Sequence, residues 1–279
     1  MGFLLGFIAA FVGASRDLVS KKLSISVSPT TSAFATFAYA FPIYCIALSI
    51  LWILGIENFI VTGSFWSYVF YRSLSDTAAE SCKMHALKHG EISSVSAIIS
   101  LHPVFTLISS TLLTNDIATT KMILGVLLSV SGGLIILFNK SNKTDFKSVI
   151  FALGSAIFFS INNCFDRLSV QTASPVLSAA IMTLFAAIGL IPTMIINGSK
   201  KELFSNYRPF TIRGIFEVLF MTVKLYALKF LQAPELAAIV RMQIIFAVVG
   251  GNVMFKEVNL VRKLIGALVT IIGVVVILI

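Results

Sequence analysis

The sequence predicts an all-α integral membrane protein, ten transmembrane helices built as two inverted five-helix repeats. Three observations lead there. First, the 279 residues are 57% hydrophobic and 12% charged, with a mean hydropathy of +0.97. A soluble domain carries about twice that charged fraction, and one globular core of this size could not hide so much apolar surface. Second, apolar runs of about the 20 residues that cross a hydrocarbon layer recur along the whole chain. Third, the second half of the chain repeats the first.

Ten segments meet the length requirement: 3–20, 31–54, 66–87, 92–113, 121–138, 148–168, 175–196, 212–231, 234–255 and 261–279. The gaps hold the punctuation, including Lys21-Lys22, Ser28-Pro29, Gly55 and the polar stretch 197–208. The most polar stretch, 139–147, falls at the midpoint and predicts a linker between a first repeat, 1–138, and a second, 148–279. Met1 to Ala14 is apolar but lacks a basic region and a cleavage site, so it reads as the first span rather than a secretory signal.

Displaced by 141 positions, residues 76–137 fall on 217–278 without a gap. His85-Ala86-Leu87-Lys88 meets Tyr226-Ala227-Leu228-Lys229, Asp116 meets Glu257, Gly125 meets Gly266 and Gly132 meets Gly273. Ser28-Pro29 corresponds to Ser174-Pro175 after a small change in length. Five is odd, so the second half enters the membrane upside down. Inverted repeats are a signature of alternating-access carriers, whose solute site lies near the midplane between the repeats.

The charges inside the spans point to such a site. The third span carries Arg72, Asp76, Glu80 and Lys83, and the eighth carries Arg213, Glu217 and Lys224. Arg72, Asp76 and Lys83 match Arg213, Glu217 and Lys224 under the same displacement. Asp76 and Lys83, like Glu217 and Lys224, share a helix face two turns apart, too far for a direct pair. Glu80 can bridge the first set. A charge at the bilayer centre costs about 2.5 to 3.5 kcal/mol. Facing lipid, Asp76, Glu80, Lys83, Glu217 and Lys224 would together cost on the order of 12 to 17 kcal/mol, so they must face one another or a watery cavity.

In the ninth span Arg241 and Gln243 correspond to Ser100 and His102 of the fourth. Arg241 is too deep to snorkel and offers a planar fork to a carboxylate or phosphate. Arg72 and Arg213 are expected to snorkel at helix ends. Arg16, Asp17, Asn162, Asn163 and Asp166 are expected to be interfacial. The expected solute site is therefore Asp76, Glu80, Lys83, Glu217, Lys224, Arg241, Gln243 and His102, with Glu80 and Glu217 as proton-coupling candidates. A cavity holding acids and cations together suits a zwitterion such as an amino acid or an S-adenosylmethionine-like conjugate. A cationic drug would want the acids alone, and a nucleotide or sugar phosphate the cations alone.

Other classes fare worse. The net charge of +9 comes from Lys and Arg in short gaps, with no basic patch interleaved with aromatic platforms, so nucleic acid is not an expected partner. No phosphate-cradling glycine motif is present, so no cofactor is expected and ATP does not supply the energy. Cys45, Cys82 and Cys164 lie in apolar runs, read as small buried hydrophobes. His85 and His89 have helical metal-ligand spacing, with Glu80 and Glu91 near, which a membrane-embedded metalloenzyme would use. The glutamate that usually stands beside the first histidine is missing, so no metal is expected. A non-transporting partner subunit would need no charged cavity.

The sequence also resembles the drug/metabolite transporter superfamily, EamA type. The likeness rests on Ala86-Leu87-Lys88, on His102-Pro103-Val104-Phe105, and on Asn115-Asp116 with Gly125 and Gly132. It is repeated in Ala227-Leu228-Lys229, Lys256-Glu257, Gly266 and Gly273. It implies a ten-helix carrier for a small organic solute that works without ATP, in a cell membrane of the bacterial inner-membrane type. It also implies that the last helix of each repeat lies outside the solute bundle, where a homodimer through the fifth and tenth spans would form, although close packing is the first reading of the paired glycines. The resemblance places both termini in the cytoplasm. The bias of Lys and Arg toward the opposite side places them outside it, and the sequence leaves both open.

Overall fold

The computed structural model describes every residue except 58, 100, 115–118, 138–144, 257–259 and 279, and every described side chain except those of 93, 136, 137, 260, 274, 277 and 278. The predicted acidic pair Asp116 and Glu257, together with Ser100, Asn115 and most of the linker, lies outside the described residues. The described residues form helices and connections, with no strand among them.

Thirteen helices follow one another among the described residues: α1 (Gly2–Ser26), α2 (Pro29–Ile53), α3 (Phe65–His89), α4 (Ile92–Ile99), α5 (His102–Leu113), α6 (Thr120–Leu137), α7 (Phe146–Ser169), α8 (Pro175–Asn197), α9 (Lys200–Ser205), α10 (Tyr207–Ala227), α11 (Ala233–Val240), α12 (Gln243–Phe255) and α13 (Leu260–Leu278). Among the described residues, six stretches are long and apolar enough to cross a membrane: α1, α2, 94–113, α7, α8 and 233–255. The helix expected from 212 starts earlier, at Tyr207.

Two expected helices are broken. Segment 92–113 divides into α4 and α5, and segment 234–255 into α11 and α12. At each break the hydrogen bonding tightens from i−4 to i−3. Leu101 N bonds Ile98 O and Val104 N bonds Leu101 O, both at 3.0 Å; Arg241 N bonds Ala238 O and Met242 N bonds Ile239 O, also at 3.0 Å. Pro103 in the first turn of α5 accounts for the first break, because its ring cannot donate and clashes with the turn before it. No proline stands at the second, where Ile244 occupies the matching position.

The repeat is visible in the packing. α3 lies along α7 as α10 lies along α1, and α2 pairs with α8 and α6 with α13 across the same pseudo-axis. Equivalent contacts recur at helix ends. Lys21 Nζ donates to Leu87 O at 2.8 Å and to Gly90 O at 2.6 Å, closing the end of α3, while Arg167 donates to Leu231 O after the end of α10. Cations suit these C-terminal carbonyls.

The paired glycines serve this symmetry within one chain. A Cβ on Gly132 would fall on Gly266 O and Thr270 Oγ1, and one on Gly273 would fall on Gly125 O and Ser129 Oγ. Ser129 Oγ donates to Thr270 O at 3.2 Å and Thr270 Oγ1 returns a bond to Ser129 O at 3.3 Å. Their outer faces, with Leu124 and Leu127 on α6 and Ile265, Leu268 and Ile272 on α13, are exposed as lipid-facing residues would be. Cys164 is buried as expected, but Cys45 is exposed and Cys82 only half-buried.

Candidate functional site in the centre of the bundle

α3 and α10 carry the same three charges at the same spacing, and the packing above turns both sets inward. All eight residues of the expected site, Asp76, Glu80, Lys83, His102, Glu217, Lys224, Arg241 and Gln243, line one central cavity. Arg16, Asp17, Asn162 and Asn163 line it too, so these four are not interfacial. Arg72 and Arg213 do not snorkel: they are 3% and 0% exposed and bind carboxylates. α1 runs to Ser26, which leaves Arg16 ten residues, roughly 15 Å, from the helix end. That is too deep for an interface. Asp166 is fully buried between Arg72 and Lys224.

The charges form one column along α3 and α10. Asp166 accepts from Arg72 at 2.9 Å and from Lys224 at 2.7 Å. Asp76 accepts from Arg72, one turn away on its own helix, and from Asn162 Nδ2 at 2.8 Å. The second half mirrors this. Glu217 accepts from Arg213, also one turn away, at 3.3 Å and from Arg16 at 3.4 Å. Arg16 occupies the place that Asn162 holds in the other half. Asp17 meets Lys83 at 2.7 Å and Arg16 at 3.2 Å. Glu80 has no counterpart, since Met221 holds the matching position. It binds Arg213 and lies 3.6 Å from Lys83, but it does not bridge to Asp76 as the helix spacing suggested. Arg16 also stacks on the Phe220 ring at 4.1 Å. Breaking one member of such a buried set strands another charge, at a typical cost of about 3 to 5 kcal/mol.

The network does not close. Arg16, Arg72, Lys83, Arg213, Lys224 and Arg241 are six cations, and Asp17, Asp76, Glu80, Asp166 and Glu217 are five acids. Among the described residues, every acid in the column bonds at least one cation, and no carboxylate bonds Arg241. Arg241 Nη1 donates to Ile99 O at 3.1 Å, and its Nε meets no acceptor. Among the described residues, three more buried polar atoms in the cavity wall lack any partner, His102 Nδ1, Gln243 Oε1 and Asn162 Oδ1, and Lys83 Nζ has only its ion-pair contacts. Such atoms are rare in a folded interior, and each calls for an explanation. His102 and Gln243 open α5 and α12, so two helix N-termini lie at the breaks beside Arg241. Broken helices with this placement bind solutes in other carriers. The cavity measures about 40 Å³, room for a few waters, so an amino-acid-sized solute fits only after the helices separate.

His85 turns toward its own helix and a ring of α7. Its Nδ1 contacts Ser81 O at 2.8 Å and its ring packs on Phe151 at 5.0 Å. Among the described residues no group of three His, Cys, Asp or Glu is placed to hold a metal ion.

Comparison with known proteins accords with this architecture. The EamA-like transporter family matches at residues 1–138 and again at 146–279, one match per repeat. A solved structure described only as "Crystal structure of protein" superposes with a TM-score of 0.76 at 15% identity, covering 100% of this chain and 98% of that one, a likeness of fold alone. No curated protein matches the sequence.

Proposed function

Because the chain belongs to the EamA-like transporter family, we propose that it is a secondary transporter that moves a small zwitterionic metabolite by alternating access, an amino acid or an S-adenosylmethionine-like compound. The coarser frame is established: this is an integral multi-pass membrane protein, and its family's members are transporters of small molecules rather than enzymes. The observation that carries the finer reading is the open end of the charge network. Arg241 would hold the solute carboxylate in a bidentate pair, with the helix N-termini at His102 and Gln243 behind it. The unpaired acceptors Gln243 Oε1 and Asn162 Oδ1 would receive the solute ammonium.

The same bookkeeping ranks the alternatives. A cationic drug would compete for carboxylates already held by Arg and Lys. A phosphate ester would bring two negative charges to one unneutralised cation. In this reading α4 with α5 and α11 with α12 each make one crossing, α9 lies outside the membrane, and the chain crosses ten times as inverted repeats in a membrane of the bacterial inner type. Glu80 and Glu217 are the proton-coupling candidates because both hold Arg213: protonating Glu80 would loosen the clamp between α3 and α10, and protonating Glu217 would loosen the tie between α10 and Arg16 on α1. A homodimer through α6 and α13 belongs to the same proposal; it would use their outer apolar faces, since their glycines face each other within the chain.

The test is uptake into proteoliposomes of labelled amino acids and S-adenosylmethionine, with Arg241→Ala beside the parent. Uptake by the parent and none by the variant supports the reading. Equal uptake by both removes Arg241 from the solute site.

A further inference from the structure

α2 and α8 begin alike, at Ser28-Pro29 and Ser174-Pro175, and each serine caps its helix, accepting from Thr31 N at 3.4 Å and from Leu177 N at 3.2 Å. A capping box would add a Glu or Gln three residues after the cap, reaching back to it. Thr31 and Leu177 stand there instead. In both helices the carboxylate comes from the other repeat. Glu202, on α9, accepts from Ser28 N at 3.0 Å and from Ser28 Oγ at 2.9 Å, while Ser199 N donates to Thr31 Oγ1 at 2.9 Å. Glu57, in the connection after α2, accepts from Ser174 Oγ, and Thr62 N donates to Thr172 O at 3.1 Å. Glu57 is 7% exposed and also accepts from Phe59 N at 3.4 Å, in a loop that turns through positive φ at Gly55 and Phe59.

α2 and α8 pack against each other, and each ends where the other starts. The two caps therefore join the same pair of helices at opposite ends. One ties the end of α8 to the start of α2, and the other ties the end of α2 to the start of α8. We propose that the Glu202–Ser28 and Glu57–Ser174 caps are reciprocal locks, one on each membrane face, each of which must part for the cavity to open toward its own face while the other holds. This rests on the alternating-access reading. Both locks are closed in this structure, as the small central cavity requires.

The test reads which face opens. In a background lacking Cys45, Cys82 and Cys164, Ala237→Cys places a thiol in the cavity wall. A membrane-impermeant maleimide is applied to right-side-out and to inverted vesicles, and the two labelling rates are compared. Glu57→Ala should shift the ratio toward the Glu57 face, and Glu202→Ala toward the other. Each shift should be roughly tenfold, the scale of one charge-assisted hydrogen bond, and the double variant should return toward the parent ratio. Where a glutamate variant fails to fold, Ser174→Ala or Ser28→Ala breaks the same lock. Shifts in one common direction, or ratios within about twofold of the parent while the parent labels from both faces, overturn the locks and leave alternating access standing. Labelling from one face only, in every variant, overturns alternating access and the locks with it.

Discussion

At the scale of the residue, pairing separates structural charges from functional ones. Asp166 holds Arg72 and Lys224 together with no exposure; Arg72 keeps Asp76, so Asp166→Ala strands Lys224 and should cost about 3 to 5 kcal/mol, read as a large fall in melting temperature in detergent. Arg241→Ala removes a buried charge that has no carboxylate, so it should leave the melting temperature unchanged or raised and abolish solute binding. In the proposed topology Glu202 lies outside the membrane. Partial burial tends to raise its pKa, but the bonds from Ser28 and Thr31 outweigh this and hold the carboxyl below its ordinary range. A depressed folded-state pKa means that its contribution to stability is complete above the ordinary glutamate range and is lost as pH falls below it. The parent should therefore lose more melting temperature between neutral and acidic pH than Glu202→Gln does. The sequence revealed Asp76, Lys83, Glu217 and Lys224 because their spacing recurs at one displacement. It misplaced Arg72, Arg213 and Asp166, because a charge a few residues from the end of an apolar run can snorkel or turn inward. Only the neighbouring helix decides which. Arg16 and Asn162 hold equivalent places, and that correspondence was the available clue.

At the scale of the element, the breaks in the fourth and ninth segments matter most. Pro103 announces the first, but nothing in residues 236–244 announces the second, which becomes legible only through its match to the first. The boundaries of α2 and α8 were plain from Ser-Pro, where a capping side chain and a fixed φ start a helix together. The α6–α13 contact depends on glycine for a different reason, the approach of two backbones. Gly132→Leu would drive a side chain into Gly266 O and Thr270. Overpacking of this kind costs about 1 to 3 kcal/mol or more, so the variant should melt at lower temperature. Leu127→Ala on the exposed face of α6 should not. Equal melting of the two variants would separate the glycines from the packing they are assigned.

At the scale of the whole molecule, two repeats facing each other leave one solute-sized problem, a central cavity lined by balanced charges except at Arg241. The duplication was readable because the 141-residue displacement holds without a gap from 76–137 onto 217–278, and membrane insertion was readable from composition. The tertiary pairing of α3 with α7 and α10 with α1 was not, since each helix is apolar on several faces and lipid contact imposes no stripe. The measurement that tests the central claim most directly is a thermal-shift screen of the purified protein in detergent, run beside Arg241→Ala. The panel holds amino acids, S-adenosylmethionine, sugar phosphates, nucleotides and lipophilic cations. A zwitterion at 100 times its dissociation constant should stabilise the parent by about 2.7 kcal/mol and leave Arg241→Ala unmoved. Stabilisation by cations alone, or by a zwitterion equally in both proteins, would contradict the assignment of the cavity to a carboxylate held by Arg241.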